Sequence, residues 1–200
     1  MIFKELDPFR GGEAEVPARL VADRMAYYLR RYYRRSLEVD VLHGLRVHSA
    51  NAFASIDHLL LHAHGMVLIA REAGSDPVRI DGEGRWSQQR PGGTVETGSP
   101  ITRAYVQGLL LKSFLDRRVQ QRGFFDQLEL DVLVVLQDEV AITWLDTGPL
   151  TEVCKREEVF ERVTRRLAQC QEPGRAPGPL TPRERQLLAD FLCRSHRPGP

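Results

Sequence analysis

The residues best placed to do chemistry lie in Ser55-Ile56-Asp57-His58-Leu59-Leu60-Leu61 and in Gly65-Met66-Val67-Leu68-Ile69-Ala70-Arg71-Glu72. Asp57 interrupts an apolar run, where an ionised carboxylate is costly unless it is paired. The two stretches read as strands around a turn at Ala63-His64-Gly65. An even number of turn residues sets Asp57 opposite Ala70 with both side chains on one face, and Glu72 shares that face. Opposed residues sit about 5 Å apart and diagonal ones about 7–8 Å, so Asp57 and Glu72 could share a divalent cation, which takes hard oxygen ligands. Arg71 and His58 alternate to the other face. The plainer reading of Asp57 is a carboxylate bonded to a strand-end backbone or to an arginine. His58, His62 and His64 alternate as a metal cluster would, but they lack the tight spacing of a zinc motif and read as a solvated turn.

Positioning these groups requires a sheet. A helix is predicted from Glu13 to near Arg35, with Val16, Leu20, Tyr28, Leu29 and Tyr32 as its apolar residues. Its segment from Tyr27 to Arg35 interleaves aromatic rings with arginines, as phosphate contact plus base stacking would need. Helical spacing gives the plainer reading, in which Tyr28 and Tyr32 face the core and the arginines are solvated. A strand follows over 37–47, with Gly44 as a bulge or bend. Residues 75–99 read as a long loop or irregular hairpin packed down by Trp86. Ser99-Pro100 starts a helix through Ala104, Leu111 and Leu115. Two strands follow, LELDVLVVL and VAITWL, and then one helix over VCKREEVFERVTRRLAQC with Val153, Val159, Phe160, Val163 and Leu167 as its stripe. EPGRAPGPL is a linker. TPRERQLLADFL is a helix capped by Thr181, with Glu184 three residues later. Its apolar face, Leu187, Leu188, Phe191 and Leu192, can dock on its own domain or on a protein partner. The order of elements gives an α/β fold, a central mixed β-sheet flanked by α-helices with an added C-terminal helix.

The 200 residues carry 28 Lys plus Arg against 27 Asp plus Glu, a net charge of +1, so no global field draws the chain onto nucleic acid or membrane. Three cysteines are too few for a disulfide scaffold. With no signal-peptide core and no apolar run of about 20 residues, the expected location is cytoplasmic, without membrane contact.

The combination GGEAEV, SIDHLLL, GMVLIA, Trp86 and SPITRAYVQGLLLKSFL resembles the nuclease-related domain family called NERD, over about residues 11 to 145. That family belongs with the PD-(D/E)XK nucleases. The resemblance implies a restriction-endonuclease-like core, with boundaries read here as 1–170 for the domain, 171–180 for the linker and 181–200 for the C-terminal helix and tail. It also implies Mg²⁺ or Mn²⁺ held by carboxylates, which activate water for phosphodiester hydrolysis. Glu13 matches the family's helix glutamate, though the helix dipole alone would favour an acid there, and Asp57 matches its hairpin aspartate. The Glu-x-Lys of the second strand reads Ala70-Arg71-Glu72, and Arg103 stands where a glutamine is expected. Glu72 could then serve as a substitute metal ligand, with Arg103 supplying positive charge without being a base. The implied function is a metal-dependent nuclease of nucleic-acid processing, DNA favoured over RNA. The alternative is a pseudoenzyme that binds nucleic acid or a protein partner through the same face.

Overall fold

A computed structural model describes residues 1–49, 52–71, 76–119, 123–146, 148–172, 174 and 176–199. Glu72 lies outside the described residues. The expected hairpin is present as β3 (Ala52–His62) and β4 (Gly65–Arg71), paired from His58↔Ile69 to His62↔Gly65 around Ala63-His64. Before it runs β2 (Asp40–Ser49), antiparallel to β3 from Asp40↔Leu61 to Ser49↔Ala52. Gly44, at φ +59°, falls between the pairs His43↔His58 and Leu45↔Ile56. Leu42 and Leu45 nevertheless pack in one core. The register is the same on both sides of the glycine, so it is no bulge, and the paired strands change apolar phase together around a left-handed residue that a side chain would strain.

The other strands of this sheet are β1 (Ile2–Lys4), β8 (Glu129–Leu136) and β10 (Val153–Lys155). Among the described residues the order is β1-β2-β3-β4-β8-β10, with β4, β8 and β10 mutually parallel. Gly65 lets β4 approach β8. A Cβ there would lie 2.2 Å from the Glu129 carbonyl oxygen. Residues 76–99 are more ordered than a loop, because β5 (Val78–Ile80), β6 (Trp86–Arg90) and β7 (Gly93–Thr97) join β9 (Ile142–Trp144) in a four-stranded sheet, order β7-β6-β5-β9. Trp86 is buried there, packing the segment onto the core.

Each face of the larger sheet carries its own core. One is covered by α2 (Pro100–Val119) and α4 (Pro182–Ser195), through Ala104, Leu111, Phe114, Leu115, Leu188, Ala189 and Leu192. The other is covered by α1 (Val16–Tyr33) and α3 (Val159–Cys170), through Met25, Leu29, Tyr33, Val159 and Val163. Of the apolar residues predicted for the first helix, Leu29 is buried and Tyr28 half-buried, but the stripe that faces the core is otherwise different. Ala22, Met25, Ala26, Leu29 and Tyr33 face inward while Val16, Leu20 and Tyr32 are exposed. Residues spaced by four drift around a helix of 3.6 residues per turn, and the two alanines let its backbone approach the sheet. Tyr32 instead stacks on Phe160, with ring centroids 4.2 Å apart. The predicted helix at 153–170 also splits, since Val153–Lys155 pair with Val134–Leu136 before α3 begins.

The C-terminal helix is packed into the molecule. Thr181 and Glu184 form the expected capping box, with the Glu184 N–H donating to Thr181 Oγ1 at 3.3 Å and the Thr181 N–H to Glu184 Oε2 at 2.8 Å. Arg185 Nε donates to Asp40 Oδ2 at 2.6 Å in a buried pair. Phe191 stacks on Phe114, and Leu192 is fully buried, worth about 1.5–3 kcal/mol. Of the two outcomes left open for this apolar face, docking on its own domain is the one seen, and Leu187 alone of its four predicted residues is exposed.

Candidate functional site

Where α2 begins against the ends of β3 and β4, the chain leaves a cavity of about 150 Å³. Asp57, Arg71, Arg103 and Gln107 line it with Ile56, Leu68, Ala70, Pro100 and Ala104. The helix is started by Ser99, whose Oγ accepts from the Thr102 N–H at 3.3 Å, and Pro100 occupies the first turn as predicted. Gln107 Oε1 accepts from the Ser55 N–H at 2.7 Å, fastening α2 to β3. Arg103 donates through Nη1 to the Gly98 carbonyl at 3.1 Å, which holds its guanidinium at the mouth of the cavity.

Asp57 accepts two hydrogen bonds from one residue, the Arg71 backbone N–H at 3.1 Å and Arg71 Nε at 3.2 Å. Arg71 Nη1 also donates to the Ala18 carbonyl of α1. These contacts correct the expectation that Arg71 points away from Asp57. Strand alternation fixes the direction of Cβ, whereas a long side chain at the last residue of a strand can turn back around the edge. The plainer reading of Asp57 thus describes its present partners in full.

Glu13 sits exposed in a 3-10 turn, Glu13–Glu15, that precedes α1, and it is not among the residues lining the cavity. Ala70 offers no ligand, and a cationic guanidinium already faces the Asp57 carboxylate. Mg²⁺ is usually held by one or two carboxylates with waters completing six oxygen ligands, and the one carboxylate among the described residues lining this cavity, Asp57, is already paired with a guanidinium, so these residues alone are a poor fit to it. Among the described residues the grouping of His, Cys and carboxylate side chains close enough to hold an ion is His64, Glu129 and Cys170, at the other end of the hairpin.

Behind Asp57, on the α1 side of the sheet, His43 and His58 are buried with Nδ1 atoms 2.9 Å apart, one donating and the other accepting. Burial lowers the His43 pKa to about 4, and that of His58 well below the usual histidine range. Both rings are therefore neutral at neutral pH. His58 thus packs and hydrogen-bonds inside the sheet, and His62 is buried too, which corrects the reading of these histidines as a solvated turn.

An α/β core with a mixed sheet, a buried hairpin and a helix closing a carboxylate-bearing cavity over two central strands is a nuclease-like architecture. The family model described as "Nuclease-related domain" (NERD) matches residues 14–137, and the chain belongs to that family, within the PD-(D/E)XK superfamily. No curated protein and no solved structure matches the chain. No helix among the described residues is long and apolar enough to cross a membrane.

Proposed function

We propose that this nuclease-related domain binds the phosphate backbone of nucleic acid, DNA in preference to RNA, at the Asp57 cavity and does not cleave it through a metal there. The observation that carries this reading is the Asp57–Arg71 pair, which puts a fixed guanidinium where a metal nuclease needs a cation shared between carboxylates. Arg71 spends Nε on Asp57 and one Nη1 N–H on Ala18, and a guanidinium has five N–H donors. The remainder can bind phosphate in a planar fork. Arg103 supplies a second guanidinium from α2. Its sequence role as a charge-stabilising group survives in this reading, as a phosphate contact.

The test measures binding and cleavage side by side. Fluorescence anisotropy with single- and double-stranded DNA and RNA is expected to show binding that weakens with salt, as released counterions require. Arg103→Ala should weaken it on all sequences and lower the salt slope by about one unit. The same oligonucleotides with Mg²⁺ or Mn²⁺ should stay intact. Cleavage abolished by both Asp57→Asn and Glu72→Ala would overturn the reading in favour of a metal-dependent nuclease. Absence of binding to any of the four would remove nucleic acid as the ligand.

A further inference from the structure

At the turn end of the hairpin, roughly 20 Å along the strand from Asp57, three residues distant in sequence converge. His64 comes from the β3–β4 turn, Glu129 is the first residue of β8, and Cys170 is the last of α3. One ligand atom from each lies within 4.8 Å of the other two. The Cys170 thiol donates to Glu129 Oε2 at 3.4 Å. A tetrahedral Zn²⁺ with bonds of about 2.0–2.3 Å sets neighbouring ligand atoms about 3.3–3.8 Å apart. The sulfur and carboxylate oxygen already stand at that spacing.

We infer that His64, Glu129 and Cys170 form a Zn²⁺ site. The donor set is one imidazole nitrogen, one thiol sulfur and one carboxylate oxygen, a combination that suits zinc and that magnesium or calcium do not select. Two of the three ligands are held in place before any ion arrives. The Glu129 N–H donates to the His64 carbonyl at 3.0 Å, and the close approach of Gly65 to the Glu129 backbone fixes the turn against β8. From the other side the linker closes on the same turn, with the Leu180 N–H donating to the Ala63 carbonyl at 3.0 Å. The third ligand is buried at the C-terminal end of α3, where the helix dipole favours a cation. Glu129 and Cys170 also line a cavity of about 410 Å³, which gives water access to a fourth coordination position. The ion would tie the end of α3 to the sheet. Its site is distinct from the Asp57 cavity and independent of the nucleic-acid reading.

The experiment titrates Zn²⁺, in competition with a chromophoric chelator, into the full-length chain stripped of metal, with excess Mg²⁺ present throughout. One Zn²⁺ per chain is expected, and Co²⁺ in its place should give a thiolate-to-cobalt charge-transfer band in the near ultraviolet. Cys170→Ser should remove that band, and both Cys170→Ser and His64→Asn should weaken Zn²⁺ binding by more than about 10-fold. His64→Asn alters a half-buried turn outside both cores, so it still reads the site if the buried Cys170→Ser variant fails to fold. Asp57→Asn should leave the affinity where it was. No saturable binding by the wild-type chain, or binding undiminished in His64→Asn, would overturn the assignment.

Discussion

Two aspartate–arginine pairs in this molecule have the same chemistry and opposite surroundings. Asp40 and Arg185 meet at 2.6 Å with side chains 1% and 3% exposed, whereas Asp57 and Arg71 meet at 3.2 Å with side chains 33% and 24% exposed. The first pair joins β2 to α4 in the interior, and Arg185 also donates to the Leu37 carbonyl at 2.6 Å. The second sits at the mouth of a cavity. A buried pair holds its partners because either charge alone would be stranded away from water, while a pair at a cavity mouth can exchange its partner for a ligand. The difference separates framework from site more clearly than residue type does.

The sharpest way to break this comparison is to remove one arginine from each pair. Arg185→Leu should cost up to about 3–5 kcal/mol in urea unfolding, because buried Asp40 keeps as counter-charge only the exposed N-terminal ammonium 3.4 Å from its Oδ1, and adding Asp40→Leu should restore most of the loss. If Arg185→Leu unfolds no more easily than wild type, the buried pair is not framework. A second test uses the neutral histidine pair, which lies behind Asp57 but is buried like Asp40. In the unfolded chain these histidines take up protons near pH 6.5, whereas His43 in the folded chain does so only at about 4. The unfolded state therefore binds more protons between these values. Stability present above pH 6.5 should fall as pH drops toward 4, by on the order of 3 kcal/mol for His43. Unfolding midpoints across that range check it, and His43→Gln should flatten the profile. Thr181→Ala should cost about 1 kcal/mol through loss of the cap on α4, read from thermal denaturation. Smallest of all, Arg71→Leu should change stability by less than about 1 kcal/mol while weakening nucleic-acid binding. A large stability loss there would put Asp57–Arg71 in the framework and take it out of the site.

What the sequence revealed follows the range of the forces involved. The hairpin register, the Pro100 helix and the Thr181 cap were legible because turn parity, proline and capping are local. The split of residues 153–170 was not, since the three residues of β10 lie in a helix-like apolar pattern and become a strand only by pairing with β8. Asp57 was legible as a polar interruption in an apolar run. The role of Arg71 was not, because alternation sets where a side chain starts and not where a long one ends. The cluster of His64, Glu129 and Cys170 left no motif, since its members lie on three elements separated by whole secondary structures.

The docking of α4 also sets a timetable for synthesis. Asp40 lies 145 residues ahead of its partner Arg185, so at about 5–20 residues per second the partner follows roughly 7–30 s later. Through that interval β2 and β3 have no α4 to cover them. A nascent chain of this protein therefore offers a transient apolar target to chaperones, one that closes only when α4 emerges.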